Sequence, residues 1–155
     1  MRVFSKARKK PHHRRNKRYY RKQKMIGIDN NILVRLVTKD DPYQLNQVLT
    51  FLSKAKANST PLYINHIVLC ELVWVLKKEY KYPKNTITSF LDDLIHTKEI
   101  LFTNKEVLSE AIQLYKKGRG DFADYLTFTQ NKKEGCSITY SFDTQLIKEK
   151  IFQTP

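Results

Sequence analysis

The feature that most constrains the fold is the alternation of short apolar segments with longer amphipathic ones from residue 25 onward. In the longer segments apolar residues recur at helical spacing, and the short ones have the length of strands. Chains that alternate strand and helix form parallel sheets with helices on both faces. The sequence therefore predicts an α/β fold with a central parallel sheet. The predicted strands are Met25 to Asp29, Pro61 to Ile64, Glu99 to Phe102, Cys136 to Tyr140 and an edge strand at Ile151-Phe152.

Capping residues mark several helix boundaries. Asp41 and Pro42 form a typical N-cap and first turn, and Asn65 is placed to cap the helix that follows the second strand. Gly118 closes the helix of residues 105–117. These signals predict a helical pair between the first two strands, and one globular unit over residues 25–155.

The strong positive charge belongs to one segment. The chain has a formal charge of +14, but residues 1–24 contain twelve Lys or Arg and no acid, while residues 25–155 carry 17 basic and 15 acidic residues. A like-charged block with little to bury favours disorder. Tyr19 and Tyr20 among cations suit single-stranded nucleic acid. Alternatively, the segment is an upstream extension of the reading frame.

The remaining composition favours a soluble, cytoplasmic protein. Cys70 and Cys136 lie far apart, each in an apolar context and without metal-ligand spacing, which predicts reduced core residues. No run reaches the length of a membrane span. The sequence indicates neither a disulfide framework nor a membrane segment.

Carboxylates recur at the ends of predicted strands and the starts of predicted helices. Asp29 ends the first strand, Asp143 follows the fourth, and Asp121 and Asp124 open a helix. Glu71 lies within an apolar helical band, so we expect it to point inward. Since strand ends and the following helix starts meet at one edge of a parallel sheet, these acids are predicted to converge.

Each acid also has a simpler structural interpretation. Asp121 is a typical N-cap, Asp124 suits the first turn of a helix, and a lone Glu71 usually reaches solvent. Together, however, like charges in a small site require cations or protonation. Oxygen ligands without Cys or His favour Mg²⁺, with Mn²⁺ as an alternative. Such a site is suited to phosphodiester hydrolysis.

Four motifs occur in an order that resembles a known family. They are Ile28-Asp29-Asn30-Asn31, Cys70-Glu71-Leu72, Asp121-Phe122-Ala123-Asp124-Tyr125-Leu126 and Ser141-Phe142-Asp143. In order and spacing the set resembles the PIN-domain family, specifically the VapC-type ribonuclease toxins of type II toxin–antitoxin pairs, over residues 25–155. The resemblance implies a PIN-like, Rossmann-type α/β/α sandwich, an RNA substrate, an antitoxin partner and a homodimer.

The resemblance also implies roles for individual residues. Catalysis and metal binding would fall to Asp29, Glu71, Asp124 and Asp143. Auxiliary roles would fall to Asn31, which would orient Asp29, to Ser141, which would orient substrate or water, and to Asp121 and Arg119. Arg119 is placed to meet a phosphate or to pair with the acids. Asn30 stands where the family usually has Thr, and Tyr125 where it has a small residue.

Two other classes of function compete with this hypothesis. Aspartyl-phosphate proteins also place Asp at strand ends, but their phosphatase form needs a second Asp at the position of Asn31, and their receiver form needs paired acids that are missing. The other class is an RNA-binding or regulatory PIN-like protein without catalysis, which would use residues 1–24. The occupied acid positions favour the enzyme.

Overall fold

The computed structural model describes residues 24–155. Our predictions for the basic segment therefore fall outside the described residues, apart from Lys24. The described chain contains strands and helices in alternation. They are β1 (Ile26–Gly27), α1 (Asn30–Thr38), α2 (Pro42–Ala57), β2 (Leu62–Ile64), α3 (His66–Lys78), α4 (Lys84–His96), β3 (Ile100–Phe102), α5 (Lys105–Lys117), α6 (Phe122–Lys133) and α7 (Thr144–Lys148).

The described strands form one parallel sheet in the order β1-β2-β3. Ile26 pairs with Leu62, which in turn pairs with Ile100. Because all three strands run in one direction, their carboxyl ends share an edge, and α1, α3 and α5 follow there. The predicted α/β/α architecture with a central parallel sheet is confirmed.

The predicted fourth strand at Cys136 to Tyr140 and the edge strand at Ile151-Phe152 are wrong. This part of the chain forms only an isolated parallel bridge between Tyr140 and Gln153. Apolar residues at every second position suggested a half-buried strand, but the side chains of Ile138, Tyr140 and Phe142 are 42%, 59% and 82% exposed. A segment that packs no face against the core gains little from joining the sheet. Asp143 consequently follows a loop.

The core lies between the sheet and the inner faces of the helices. Leu72 and Leu76 of α3, Leu108 and Ile112 of α5 and Tyr125 of α6 are completely buried. Burying side chains of this size supplies about 1.5–3 kcal/mol each. These contacts, more than the two- and three-residue strands, hold the helices in place around the candidate site.

The predicted caps are confirmed by hydrogen bonds. The Asp41 carboxylate accepts from the Gln44 amide at 2.9 Å, and the Asn65 side chain accepts from the Val68 amide at 3.0 Å. Gly118 follows the last residue of α5. Each cap satisfies an amide that would otherwise lack a partner at a helix start.

The cysteine prediction holds for one residue only. Cys70 is half-buried, Cys136 is exposed, and both are free thiols. Cys136 therefore does not belong to the core. In residues 24–155, none of the helices combines the length and the apolar character needed to span a membrane.

Candidate functional site

Asp29 lies where the chain passes from β1 into α1. It occupies the N-cap position with extended backbone, yet its carboxylate accepts no capping hydrogen bond. The side-chain amide of Asn31 donates to its Oδ2 at 3.3 Å. The predicted contact between Asn31 and Asp29 is therefore present, and the exposed carboxylate keeps most of its acceptor capacity for a ligand.

Asn30, between these two residues, is buried although it is polar. It is 4% exposed, and its Oδ1 has no hydrogen-bond partner among the described residues. A buried polar atom without a partner costs about 1–3 kcal/mol. The amide oxygen of Asn30, the residue after Asp29, is thus an acceptor whose capacity is unused among the described residues.

Asp121 and Asp124 share the start of α6. The Asp124 carboxylate accepts from the Asp121 amide at 3.1 Å, which is one half of a capping box. The Asp121 carboxylate forms an ion pair with Lys77 at the end of α3. Asp121 therefore has an ion-pair partner, whereas Asp124 forms no ion pair with a described residue.

Asp143 caps the short helix α7. Its Oδ1 accepts from the amides of Gln145 and Leu146 at 2.8 and 3.2 Å. The Ser141 hydroxyl oxygen accepts from the Asp143 amide at 3.0 Å. Ser141 therefore fixes the backbone of Asp143, and its predicted role toward substrate or water remains a prediction. The other carboxylate oxygen, Oδ2, accepts no hydrogen bond from a described residue.

The pKa of Asp124 responds to burial and to the charges of other acids. Burial raises the pKa of Asp124, and the charges of Asp121 and Asp143 raise it further. The hydrogen bond from the Asp121 amide and the charge of Lys77 lower it but do not compensate. Asp124 is thus held close to like charge in a partly desolvated place, which favours a proton or a cation there.

Glu71 does not point inward, and that prediction is wrong. The inner face of α3 is filled by Leu69, Leu72 and Val73, which are buried, while Glu71 is exposed. Its neighbours one turn away, Ile67 and Trp74, are also exposed, at 77% and 56%. The apolar band that suggested burial therefore continues onto the outer surface of the helix.

The structure brings only part of the predicted set together. Asp121, Asp124 and Asp143 form one electrostatic group with Lys77, whereas Asp29 and Glu71 make no hydrogen bond to them. In residues 24–155, no three His, Cys, Asp or Glu side chains are grouped so that they could hold one metal ion. Mg²⁺ needs only one or two carboxylates because it retains several waters. Asp124 and Asp143 fit that donor requirement.

Sequence reasoning missed a second polar cluster, behind Asp124. Tyr125 donates from its hydroxyl to Glu149 Oε2 at 2.6 Å and accepts from the Gly120 amide at 2.8 Å. Burial and the bond to Glu149 raise the pKa of Tyr125 to about 12, so the hydroxyl stays protonated. The only signal in the sequence was that Tyr125 stands where the family has a small residue. Nothing marked Glu149 or Lys77.

Arg119 contacts this cluster through its backbone. Its amide donates to Glu149 Oε1 at 2.7 Å, and its guanidinium forms no ion pair with a described acid. The predicted pairing of Arg119 with the acids is therefore not seen, which leaves the exposed side chain available for phosphate. An adjacent surface cavity of about 380 Å³ is lined by Arg119, Lys117 and Glu149, among others.

Cys70 lies on the face of α3 toward Asp124. Burial raises the pKa of its thiol to about 11, and the charge of Asp124 adds to the effect. Since the thiolate is the reactive form, Cys70 is not a nucleophile at neutral pH. The chemistry available here is that of carboxylates.

Replacing Gly118 by Ala is expected to destabilise the protein by about 1–3 kcal/mol. A Cβ at this position would overlap the Tyr125 hydroxyl and would lie 2.6 Å from Glu149 Oε2. Tyr125 is completely buried and has no room to move aside. Urea unfolding of the two proteins measures the effect. Gly27→Ala, where a Cβ meets nothing within 4 Å, serves as the control, and equal losses in both variants would contradict the clash.

Comparisons with known proteins give one curated relative and one family model. A curated relative, the VapC ribonuclease of Aquifex aeolicus (strain VF5), is 24% identical over 121 residues, which cover 78% of this chain and 89% of that protein. No solved structure gives a significant match. The family model described as PIN domain matches residues 26–150. Since that match spans most of the chain and includes all the acids discussed above, this protein belongs to the PIN-domain family.

Proposed function

We propose that this protein is a Mg²⁺-dependent endoribonuclease, with Mn²⁺ as an alternative ion, and the toxin of a toxin–antitoxin pair. The observation that carries the proposal is the partly buried carboxyl group of Asp124, whose pKa is raised by burial and by the charges of Asp121 and Asp143. Membership of the PIN-domain family and the similarity to a VapC ribonuclease support it.

Asp124 and Asp143 are the central ligands of the proposed site. Asp29 and Glu71, both exposed, are assigned to the same site from the resemblance of their motifs to the family, and Asn31 holds the carboxylate of Asp29. Asp121 is engaged by Lys77, which favours Asp124 as the ligand of the two. When bound, the ion lowers the pKa of a water molecule and neutralises charge on the phosphate.

Substrate binding is assigned to groups around these acids. The guanidinium of Arg119 follows directly after Gly118 and precedes Asp121 by two residues, so it can bind a phosphate next to the reacting one. The protein would act on RNA in the cytoplasm, be neutralised by a cognate antitoxin, and form a homodimer. These partners are proposed from the family and from the VapC relative.

Cleavage of RNA by the purified full-length protein tests the proposal. We expect fragments of structured RNA to accumulate with Mg²⁺, to disappear with EDTA and to return when excess Mg²⁺ is added. Circular dichroism in EDTA checks that the fold persists without the ion. Cleavage that is unaffected by EDTA would refute metal dependence, and the lack of cleavage with either ion would refute the enzyme.

A second candidate is an RNA-binding PIN-domain protein without catalysis. It is favoured by the lack of a three-ligand group in the described residues and by the basic composition of residues 1–24. Binding of labelled RNA by the full chain and by a variant lacking residues 1–24 separates the two. A binding protein would lose affinity and never cleave, whereas the nuclease would keep its Mg²⁺-dependent cleavage.

A further inference from the structure

We infer that the Tyr125 hydroxyl and the Glu149 carboxylate act as a positioning pair that fixes Asp124 relative to Asp143. The consequence for activity rests on the proposed nuclease function, but the positioning itself does not. Tyr125 is the residue next to Asp124 on α6, and Glu149 is the C-cap of α7, which Asp143 opens. The pair thus joins the two helices that present these acids.

The carboxylate of Glu149 is the centre of the connection. It accepts from the Tyr125 hydroxyl at 2.6 Å, from the Arg119 amide at 2.7 Å and from the side-chain amide of Gln145 at 2.9 Å. These donors come from α6, from the loop before it and from α7. One side chain therefore restrains three segments of the chain.

A series of hydrogen bonds leads from Asp143 to Tyr125, the residue that follows Asp124 on α6. The Asp143 carboxylate accepts from the Gln145 amide, and the Gln145 side chain donates to Glu149. Glu149 accepts from Tyr125, whose hydroxyl also accepts from the Gly120 amide just before α6. A displacement of α7 relative to α6 must break at least one of these bonds.

The hydroxyl, rather than the ring, is the part of Tyr125 that calls for this role. The ring packs against Tyr115 with centroids 6.3 Å apart, and Phe would fill the same space. The hydroxyl fits only because Gly118 and Gly120 carry no side chain: a Cβ on Gly118 would overlap the hydroxyl, and one on Gly120 would lie 3.2 Å from it. The sequence thus accommodates this polar group at a crowded position.

Apolar contacts alone are the rival explanation for how the C-terminal segment is held. Phe152 packs edge to face on Phe128 of α6 with centroids 6.1 Å apart, and Leu146 lies against Gly120. If these contacts suffice to hold the segment, removing the Tyr125 hydroxyl will change the local structure only at Gly120 and Glu149. If the pair positions the acids, the effect will extend to the N-terminus of α7.

Amide hydrogen exchange of the full chain without metal distinguishes the two explanations. In Tyr125→Phe and in Glu149→Ala we expect exchange to accelerate about tenfold at Arg119 and Gly120, and also at Gln145 and Leu146, which bond to Asp143. At Gln145 and Leu146 the double variant should exchange no faster than the more affected single variant, because both changes break the bond between Tyr125 and Glu149. Unchanged exchange at Gln145 and Leu146 in both single variants would overturn the inference.

The Mg²⁺ dependence of cleavage tests the consequence for activity. In Tyr125→Phe we expect the Mg²⁺ concentration for half-maximal cleavage to rise severalfold, with the maximal rate recovered at saturating Mg²⁺. Tyr80→Phe is the matched control, since Tyr80 donates to Asp40 at 2.6 Å beyond the far end of α1. An unchanged Mg²⁺ requirement would overturn the inference. If the wild-type protein cleaves no RNA, the proposed function fails. The exchange experiment alone then decides whether Tyr125 and Glu149 fix Asp124 relative to Asp143.

Discussion

Replacing Asp124 by Asn is expected to abolish RNA cleavage and to stabilise the fold. Loss of this ligand should lower the rate by at least about 100-fold, beyond what is typical for groups that only support a ligand. In the wild-type protein the pKa of Asp124 is raised by burial and by the charges of Asp121 and Asp143. An uncharged amide removes both effects, while its oxygen can still accept from the Asp121 amide.

The stabilisation should depend on pH in a defined direction. Because the pKa of Asp124 is higher in the folded than in the unfolded state, folding takes up a proton between the two values. The ionised carboxylate is therefore a cost that is fully present above the folded pKa and absent below the unfolded value near 4. The advantage of Asp124→Asn at pH 7 should disappear as the pH falls below 4.

Urea unfolding at pH 7 and at pH 3, together with the cleavage assay, measures both effects. Asp93→Asn is a suitable control because Asp93 is an exposed carboxylate on α4 whose side chain makes no hydrogen bond to a described residue. Asp93→Asn should change neither the free energy of unfolding nor the cleavage rate. An Asp124→Asn protein that still cleaves at the wild-type rate would remove Asp124 from the site.

Glu71 and Leu72 are adjacent in α3, yet replacing Leu72 by Ala should lower stability alone, and replacing Glu71 by Ala should lower the cleavage rate alone. Leu72 is completely buried, so Leu72→Ala leaves a cavity and should cost about 3 kcal/mol, or roughly 10 °C in Tm. Glu71 is exposed, and Glu71→Ala should stay within about 0.5 kcal/mol of wild type. The cleavage rate of Glu71→Ala should nevertheless fall at least about tenfold, because the substitution removes a negative charge from the proposed site.

Thermal unfolding and cleavage, measured on both variants at a temperature where Leu72→Ala is folded, separate the two effects. Leu72→Ala should retain the wild-type rate there, since its side chain contributes only to packing. If Glu71→Ala cleaves normally, Glu71 is an ordinary surface residue. That result would confirm its simplest interpretation, a Glu on a helix flank that reaches solvent.

Much of the fold could be predicted because local signals agree with the final packing. Helix bounds such as Lys105–Lys117 and Phe122–Lys133 follow from apolar periodicity and from the caps that flank it. The segment from Ile138 to Phe142 could not be placed in the same way. Its alternating apolar residues specify a strand only if a neighbouring strand and a face of the core are available to pack against. These residues are exposed, so they do not pack against the core.

The acids of the candidate site could be proposed from the sequence, but their contacts could not. Sequence order and sheet topology indicate which acids approach one edge, whereas side-chain partners depend on distances between helices that no local pattern encodes. Lys77 is an ordinary basic residue in the last turn of a helix until α3 packs beside α6. Glu149 is likewise unremarkable until α7 folds back onto the loop at Gly120.

The shortness of the strands has a consequence for how the protein folds. Ile26, Leu62 and Ile100 meet in one sheet, but two complete helices separate each from the next. Closing such long stretches of chain yields only a few ladder hydrogen bonds, so we expect the sheet to form late in folding, after the helices contact one another. The rate-limiting barrier should then lie in docking the helices onto one another, and variants within the strands should mainly accelerate unfolding.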